Sequence, residues 1–150
     1  MFKLVKILGG RMNVPEIIEL EAGSSTQSTE TVFKAGKALM HSASTGILTA
    51  ATGSASAEYI CAENKKTVGV EKLKVYKVTP DMLFEVDVSA VPTSAVPGKH
   101  YTIDETGEKM TATVVTVATT SSSISNPFGC KLIDKQGASA IGDKVLVTLA

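Results

Sequence analysis

Apolar and polar residues alternate with a period of two along several short stretches of this chain. Ile18, Leu20 and Ala22 fall on one side of such a stretch and Glu19 and Glu21 on the other, which predicts a strand with one buried face. Met82, Phe84, Val86 and Val88 alternate in the same way with Leu83, Glu85 and Asp87. Between Lys72 and Val78 the phase slips: Leu73 and Val75 share a face, then Tyr76 and Val78 take the other, so this strand either carries a bulge or is buried on both sides. Thr79-Pro80-Asp81 separates the last two segments and has turn chemistry, which predicts that they pair as a hairpin.

The same reading extends to both ends of the chain. Phe2, Leu4 and Ile7 alternate roughly with Lys3 and Lys6 until Gly9-Gly10 and Pro15 break the pattern. Residues 1–14 are therefore expected to be an N-terminal arm that adds a strand to a neighbour's sheet edge, or equally the edge strand of the home sheet. Gly23 to Thr29 is polar with nothing to bury and predicts an exposed loop. Ser24 and Thr26 in that loop join Phe2, Leu4 and Ile7 as the candidate partner-binding residues. From Val32 to Ala62, short apolar clusters are separated by Gly36, Gly46 and Gly53, a spacing that suits short strands and tight turns. Phe33 to His41 is the best helical stretch, but Gly36 interrupts it and Ser42 to Thr45 ends it after barely two turns. Tyr101 and Ile103, the turn Asp104-Glu105-Thr106-Gly107 and a strand from Lys109 to Val117 predict a second hairpin. A Ser/Thr loop over Thr119 to Asn126 follows, and Leu132-Ile133 with Val145, Val147 and Leu149 supply two closing strands. The expected fold is all-β: a small barrel or sandwich of short antiparallel strands with an N-terminal arm. A single domain over 1–150 is expected, with a possible subdivision near 89–98.

Composition narrows the function. Fifteen Lys and Arg balance fifteen Asp and Glu and are well mixed, so the basic footprint of a nucleic-acid binder is missing. The uncharged runs Ala38 to Ala57 and Met110 to Cys130 are crowded with Ser and Thr and would not enter a bilayer as helices, so no membrane partner is expected. The first ten residues read as mature protein rather than a secretion signal. Cys61 and Cys130 lie too far apart in sequence for a zinc knuckle and read as small buried hydrophobes. There is no Trp, only 5% of residues are aromatic, and sixteen Val with many Ala, Thr and Ser fill the chain, a composition that favours strands.

No stretch has the spacing of a catalytic site. Gly36-Lys37 lacks the Gly at position 31 and the Ser or Thr at 38 that a phosphate-binding loop requires, and Gly53-Ser54-Ala55-Ser56-Ala57 has the wrong offsets for a nucleophile elbow. His41 and His100 stand in no pattern with a cysteine or carboxylate. Glu85 and Asp87 share one strand face, as any solvent face requires, and Asp104, Glu105 and Glu108 read as a solvated hairpin tip rather than a calcium loop. Lys65, Lys66, Lys72, Lys74 and Lys77 form the one basic concentration and read as edge-strand lysines that discourage aggregation. Neither an enzymatic activity nor a metal or cofactor is expected.

One block of the chain resembles a known family. Phe33-Lys34-Ala35-Gly36-Lys37-Ala38-Leu39, Gly46-Ile47-Leu48, Glu58-Tyr59-Ile60-Cys61 and Val75 through Met82-Leu83-Phe84-Glu85-Val86 are similar to the capsid decoration, or cement, proteins of tailed bacteriophages. The shared pattern is a Gly-x-Ala-Leu segment, a glycine turn, a Tyr-Ile strand and a closing Met-x-Phe-Glu strand, and it spans residues 32 to 88. The resemblance implies a virion protein, made in the host cytoplasm, that binds the outside of an assembled lattice of major capsid protein and reinforces it against internal DNA pressure. It further implies a homo-oligomer, most often a trimer at three-fold or quasi-three-fold positions, and it transfers no residue-level role. The alternatives are another virion β-domain, associated with a tail tube or fibre, and a small-ligand-binding β-barrel. A deep pocket lined by His41 or His100 would favour the barrel reading, and a filled barrel interior would count against it.

Overall fold

A computed structural model describes residues 1–8, 14–115 and 129–150. Among the described residues there are thirteen strands and no helix: β1 (Lys3–Ile7), β2 (Ile18–Gly23), β3 (Glu30–Phe33), β4 (Ala38–His41), β5 (Leu48–Ala50), β6 (Tyr59–Cys61), β7 (Lys65–Val68), β8 (Val70–Lys77), β9 (Met82–Asp87), β10 (His100–Ile103), β11 (Met110–Val114), β12 (Cys130–Asp134) and β13 (Lys144–Thr148). The all-β reading is correct, and both a barrel and an open sheet are present. Five strands close a barrel in the order β2-β5-β4-β6-β8, six form a sheet in the order β1-β9-β13-β12-β10-β11, and β3 and β7 make a two-stranded ribbon.

The period-two pattern explains the barrel wall. In the antiparallel β2–β8 pair, Ile18 lies opposite Val75 and Leu20 opposite Leu73, while Glu19 and Glu21 face outward against Lys74 and Lys72. The closing contact is a parallel one, Ala22 beside Leu48. Leu39, Leu48, Cys61, Leu73 and Val75 fill the interior, and Phe33 packs into the same cluster from the ribbon. In the six-stranded sheet, Phe84 and Val86 of β9 stand opposite Val147 and Val145 of β13, all fully or almost fully buried. Their core also takes in Ala38, Ala51, Ala57 and Ile60 from the barrel side, so barrel and sheet share apolar packing.

The structure corrects several expectations. Lys72–Val78 and Met82–Val88 do not pair. Backbone hydrogen bonds to β2 and β6 occupy both edges of β8, and β9 instead lies between β1 and β13. Thr79-Pro80-Asp81 does turn the chain, with the Met82 amide donating to the Thr79 carbonyl at 3.1 Å, but it carries the chain from the barrel to the sheet. The phase slip in β8 marks a change of surroundings at its end: Leu73 and Val75 point into the barrel core while Lys72 and Lys74 on the opposite face are exposed, and only Tyr76, with Val78 just beyond the strand, packs against the shared core. Phe33 to His41 is not helical; Phe33 ends β3 and Ala38–His41 is β4. Residues 89–98 join β9 to β10 within the sheet portion of the chain, with Pro92 and Ala95 buried.

The second predicted hairpin is present as β10–β11. Its turn closes through the Gly107 amide on the Asp104 carbonyl at 3.0 Å, with Gly107 at a φ of 74°. The predicted end of β11 at Val117 and the loop Thr119 to Asn126 lie outside the described residues. The two closing strands pair as β12 and β13.

Candidate functional site

The N-terminal residues predicted to reach a neighbour are committed to this chain's own fold. β1 pairs antiparallel with β9, Leu4 lying opposite Phe84 and Ile7 opposite Met82. The Phe2 ring is only 1% exposed and meets Phe84 edge-on, with ring centroids 6.4 Å apart. Its amide donates to the Gly36 carbonyl at 2.9 Å, and Leu4 and Ile7 pack half-buried on the shared core. An apolar residue at each of these positions gains more from the adjacent core than from projecting into water, so the edge-strand reading replaces the free arm. The outer edge of β1 is blunted by Lys3, Lys6 and a register shift between Leu4 and Lys6, devices that discourage further strand addition.

Ser24 and Thr26 lie where the sequence placed them, in a loop between β2 and β3. Thr26 is exposed and Ser24 half-buried, its hydroxyl accepting the Thr26 amide at 3.2 Å. The loop is held to the turn between β7 and β8. The Ser24 amide donates to the Gly69 carbonyl at 3.1 Å, and the Gly69 amide donates to the Thr29 carbonyl at 2.9 Å. At the root of this junction Gly23 has a φ of 122°, and a Cβ there would lie 2.1 Å from the Gly69 carbonyl oxygen, so two backbones meet where no side chain fits.

The ribbon beyond this junction has two unlike faces. Thr31 and Phe33 turn inward with Thr67, whose hydroxyl donates to the Thr31 carbonyl at 3.4 Å. Phe33 is 1% exposed, and the Lys37 ammonium sits 5.8 Å from the centre of its ring while donating to the Val32 carbonyl at 3.2 Å. The outward face carries Glu30, Val32, Lys66 and Val68. Glu30 and Lys66 form an ion pair at 2.7 Å, and Val32 and Val68 are 51% and 52% exposed. In pairs of this exposure the charges hold geometry more than they add stability. Sequence reasoning missed Val32 and Val68, because in a four-residue strand Val32 and Phe33 are equally apolar and only the fold selects which one points inward.

His41 Nδ1 lies 2.8 Å from Glu58 Oε2, and both side chains are exposed on the barrel surface. Glu85 and Asp87 are split between partners, Glu85 near Lys144 at 3.8 Å and Asp87 on the terminal ammonium at 2.9 Å. Asp104 uses its carboxylate within its own turn, accepting the amides of Glu108 and Lys109, each at 3.0 Å. No cluster of three or more potential metal ligands occurs among the described residues. Both cysteines are buried and free, in separate cores. Burial pushes the Cys130 thiol up to about 12 and raises that of Cys61 as well. Lys72 and Lys74 are not edge-strand lysines, since β8 has neighbours on both sides in the barrel.

The barrel interior is filled by side chains. An open depression of about 380 Å³ lies over the sheet, lined by Glu85, Gln136, Gly137, Ala138, Asp143 and Lys144, and includes neither histidine. No helix among the described residues is long and apolar enough to cross a membrane. A scan of protein-family models and a comparison with curated proteins find no match to this chain.

Proposed function

We propose that this protein binds the outside of the assembled major capsid protein lattice of a tailed bacteriophage and stabilises the head. The observation that carries the reading is the outward face of the β3–β7 ribbon. It presents two half-exposed valines, Val32 and Val68, from within the 32–88 block that resembles decoration proteins. The ribbon is held to the barrel by Phe33 beneath it and by the Gly23–Gly69 junction at its root. The filled barrel supports a role exercised through the surface rather than through a bound small molecule.

Each of these valines offers about 1 kcal/mol on burial, so the pair accounts for about 2 kcal/mol, or roughly thirtyfold in affinity. A trimer at a three-fold position multiplies that contribution, because the later contacts of a bound oligomer form at high effective concentration. Co-sedimentation with mature, decoration-free capsids, against unexpanded procapsids, tests the reading. Saturable binding to mature shells is expected, with the V32E/V68E double variant remaining folded and failing to bind. Absence of binding to either shell would overturn the reading in favour of a tail-associated β-domain.

A further inference from the structure

The outer face of the β2–β8 barrel wall carries charge in an ordered ladder. Glu19 stands directly across from Lys74 and Glu21 directly across from Lys72, so an acidic row runs along β2 beside a basic row on β8. All four residues are exposed. Among the described residues, Lys72 and Lys74 take part in hydrogen bonds only through their main chains, the Lys72 carbonyl accepting from Lys65 Nζ and the Lys74 amide donating to Glu63 Oε1. Among the described residues, none of the four charged groups is engaged in an ion pair within 4.0 Å. Exposed apolar residues end the ladder on either side, Ile17 (49%) just before β2 and Val70 (40%) at the start of β8.

This pattern is self-complementary under one specific operation. A two-fold axis parallel to the strands, running between β2 and β8, lays β2 of a second copy over β8 of the first without changing position along the strand. Glu19 of one copy then faces Lys74 of the other and Glu21 faces Lys72, and each contact occurs twice, as an isologous interface requires. The perpendicular in-plane axis would lay β2 on β2 and set glutamates against glutamates, so the charges select between the two arrangements. The wall of a closed barrel is convex, and two barrels aligned along their strands touch along a stripe about two strands, or roughly 10 Å, wide. That is the width the ladder occupies.

We propose that this face pairs two copies of the chain through reciprocal Glu19–Lys74 and Glu21–Lys72 contacts. The contact uses a surface other than the outward ribbon face and does not depend on the capsid reading.

Sedimentation velocity on three proteins tests it: the wild type, E19K/E21K with an all-basic face, and K72E/K74E with an all-acidic face. At low ionic strength the wild type is expected to double the mass of its sedimenting unit, and added salt to weaken that association roughly tenfold or more. Each variant alone is expected not to pair, and an equimolar mixture to regain pairing. These exposed substitutions leave the core untouched, and circular dichroism verifies that both variants fold. A wild type that never doubles, variants that still do, or a mixture that fails to recover pairing would each overturn the proposal.

Discussion

Phe2 is the residue on which the N-terminal part of the fold turns. Its ring is buried against Phe84, its backbone is bonded to Gly36, and it leads into β1, which among the described residues is the one strand that joins the six-stranded sheet from ahead of the barrel. Phe2→Ala is expected to cost about 3–5 kcal/mol in urea unfolding, the range for deleting a buried aromatic ring. The buried titratable groups supply a second prediction, because burial also pushes the Tyr76 phenol up from its ordinary 10.0 to about 12. Cys130 and Tyr76 both keep their protons longer in the folded chain than in the unfolded one. The stability this provides is complete below their unfolded values of 9.0 and 10.0 and is lost as pH rises to about 12. Titrating stability with alkali should show a fall across that window, and neither thiol should react with a soluble disulfide reagent at neutral pH until the protein is unfolded.

At the scale of elements, what distinguishes one strand from another is how many of its edges are used. β8 has partners on both edges and buries Leu73 and Val75 in the barrel, whereas among the described residues the ribbon is two strands, each with one free edge and one face open to solvent. Isolated two-stranded pairs are marginal, so the ribbon depends on Phe33 and on the junction with the barrel. Amide exchange should therefore rank the elements. Leu73 and Val75 are expected to exchange only on global unfolding, and the ladder amides of Phe33 and Thr67 through local opening at much lower free energy. Equal protection in the ribbon and β8 would contradict this ranking. Gly23→Ala is expected to loosen the ribbon first, seen as faster exchange there before any change in β8, since a Cβ at that site would strike the Gly69 carbonyl.

At the scale of the molecule, barrel and sheet unfold together or separately according to what lies between them. Ala38, Ala51, Ala57 and Ile60 join the core of the sheet, and backbone bonds cross between the two, Gly53 with Ile103 in both directions at 2.8 and 2.9 Å and Gly129 to Ala55 at 3.1 Å. One cooperative transition is therefore expected. Methyl resonances of Leu73 in the barrel and Val147 in the sheet should report coincident urea midpoints, and separated midpoints would mean two folding units.

Periodicity alone identified several of the strands, their apolar faces and the places where the chain turns. β2, β8, β9, β10, β12 and β13 were legible in this way, because a half-buried strand must alternate and a turn must use residues that tolerate its dihedral angles. The loop holding Ser24 and Thr26 was legible for the converse reason, having nothing to bury. Only the tertiary structure decided which strands became neighbours. An apolar face is satisfied by any core, so nothing local kept β9 from β8; the occupied edges of β8 did. The same holds for Phe2, Leu4 and Ile7, whose alternation suits a neighbour's sheet as well as their own, and for Val32, which is exposed because Phe33, on the opposite face of β3, is the one that packs into the barrel cluster.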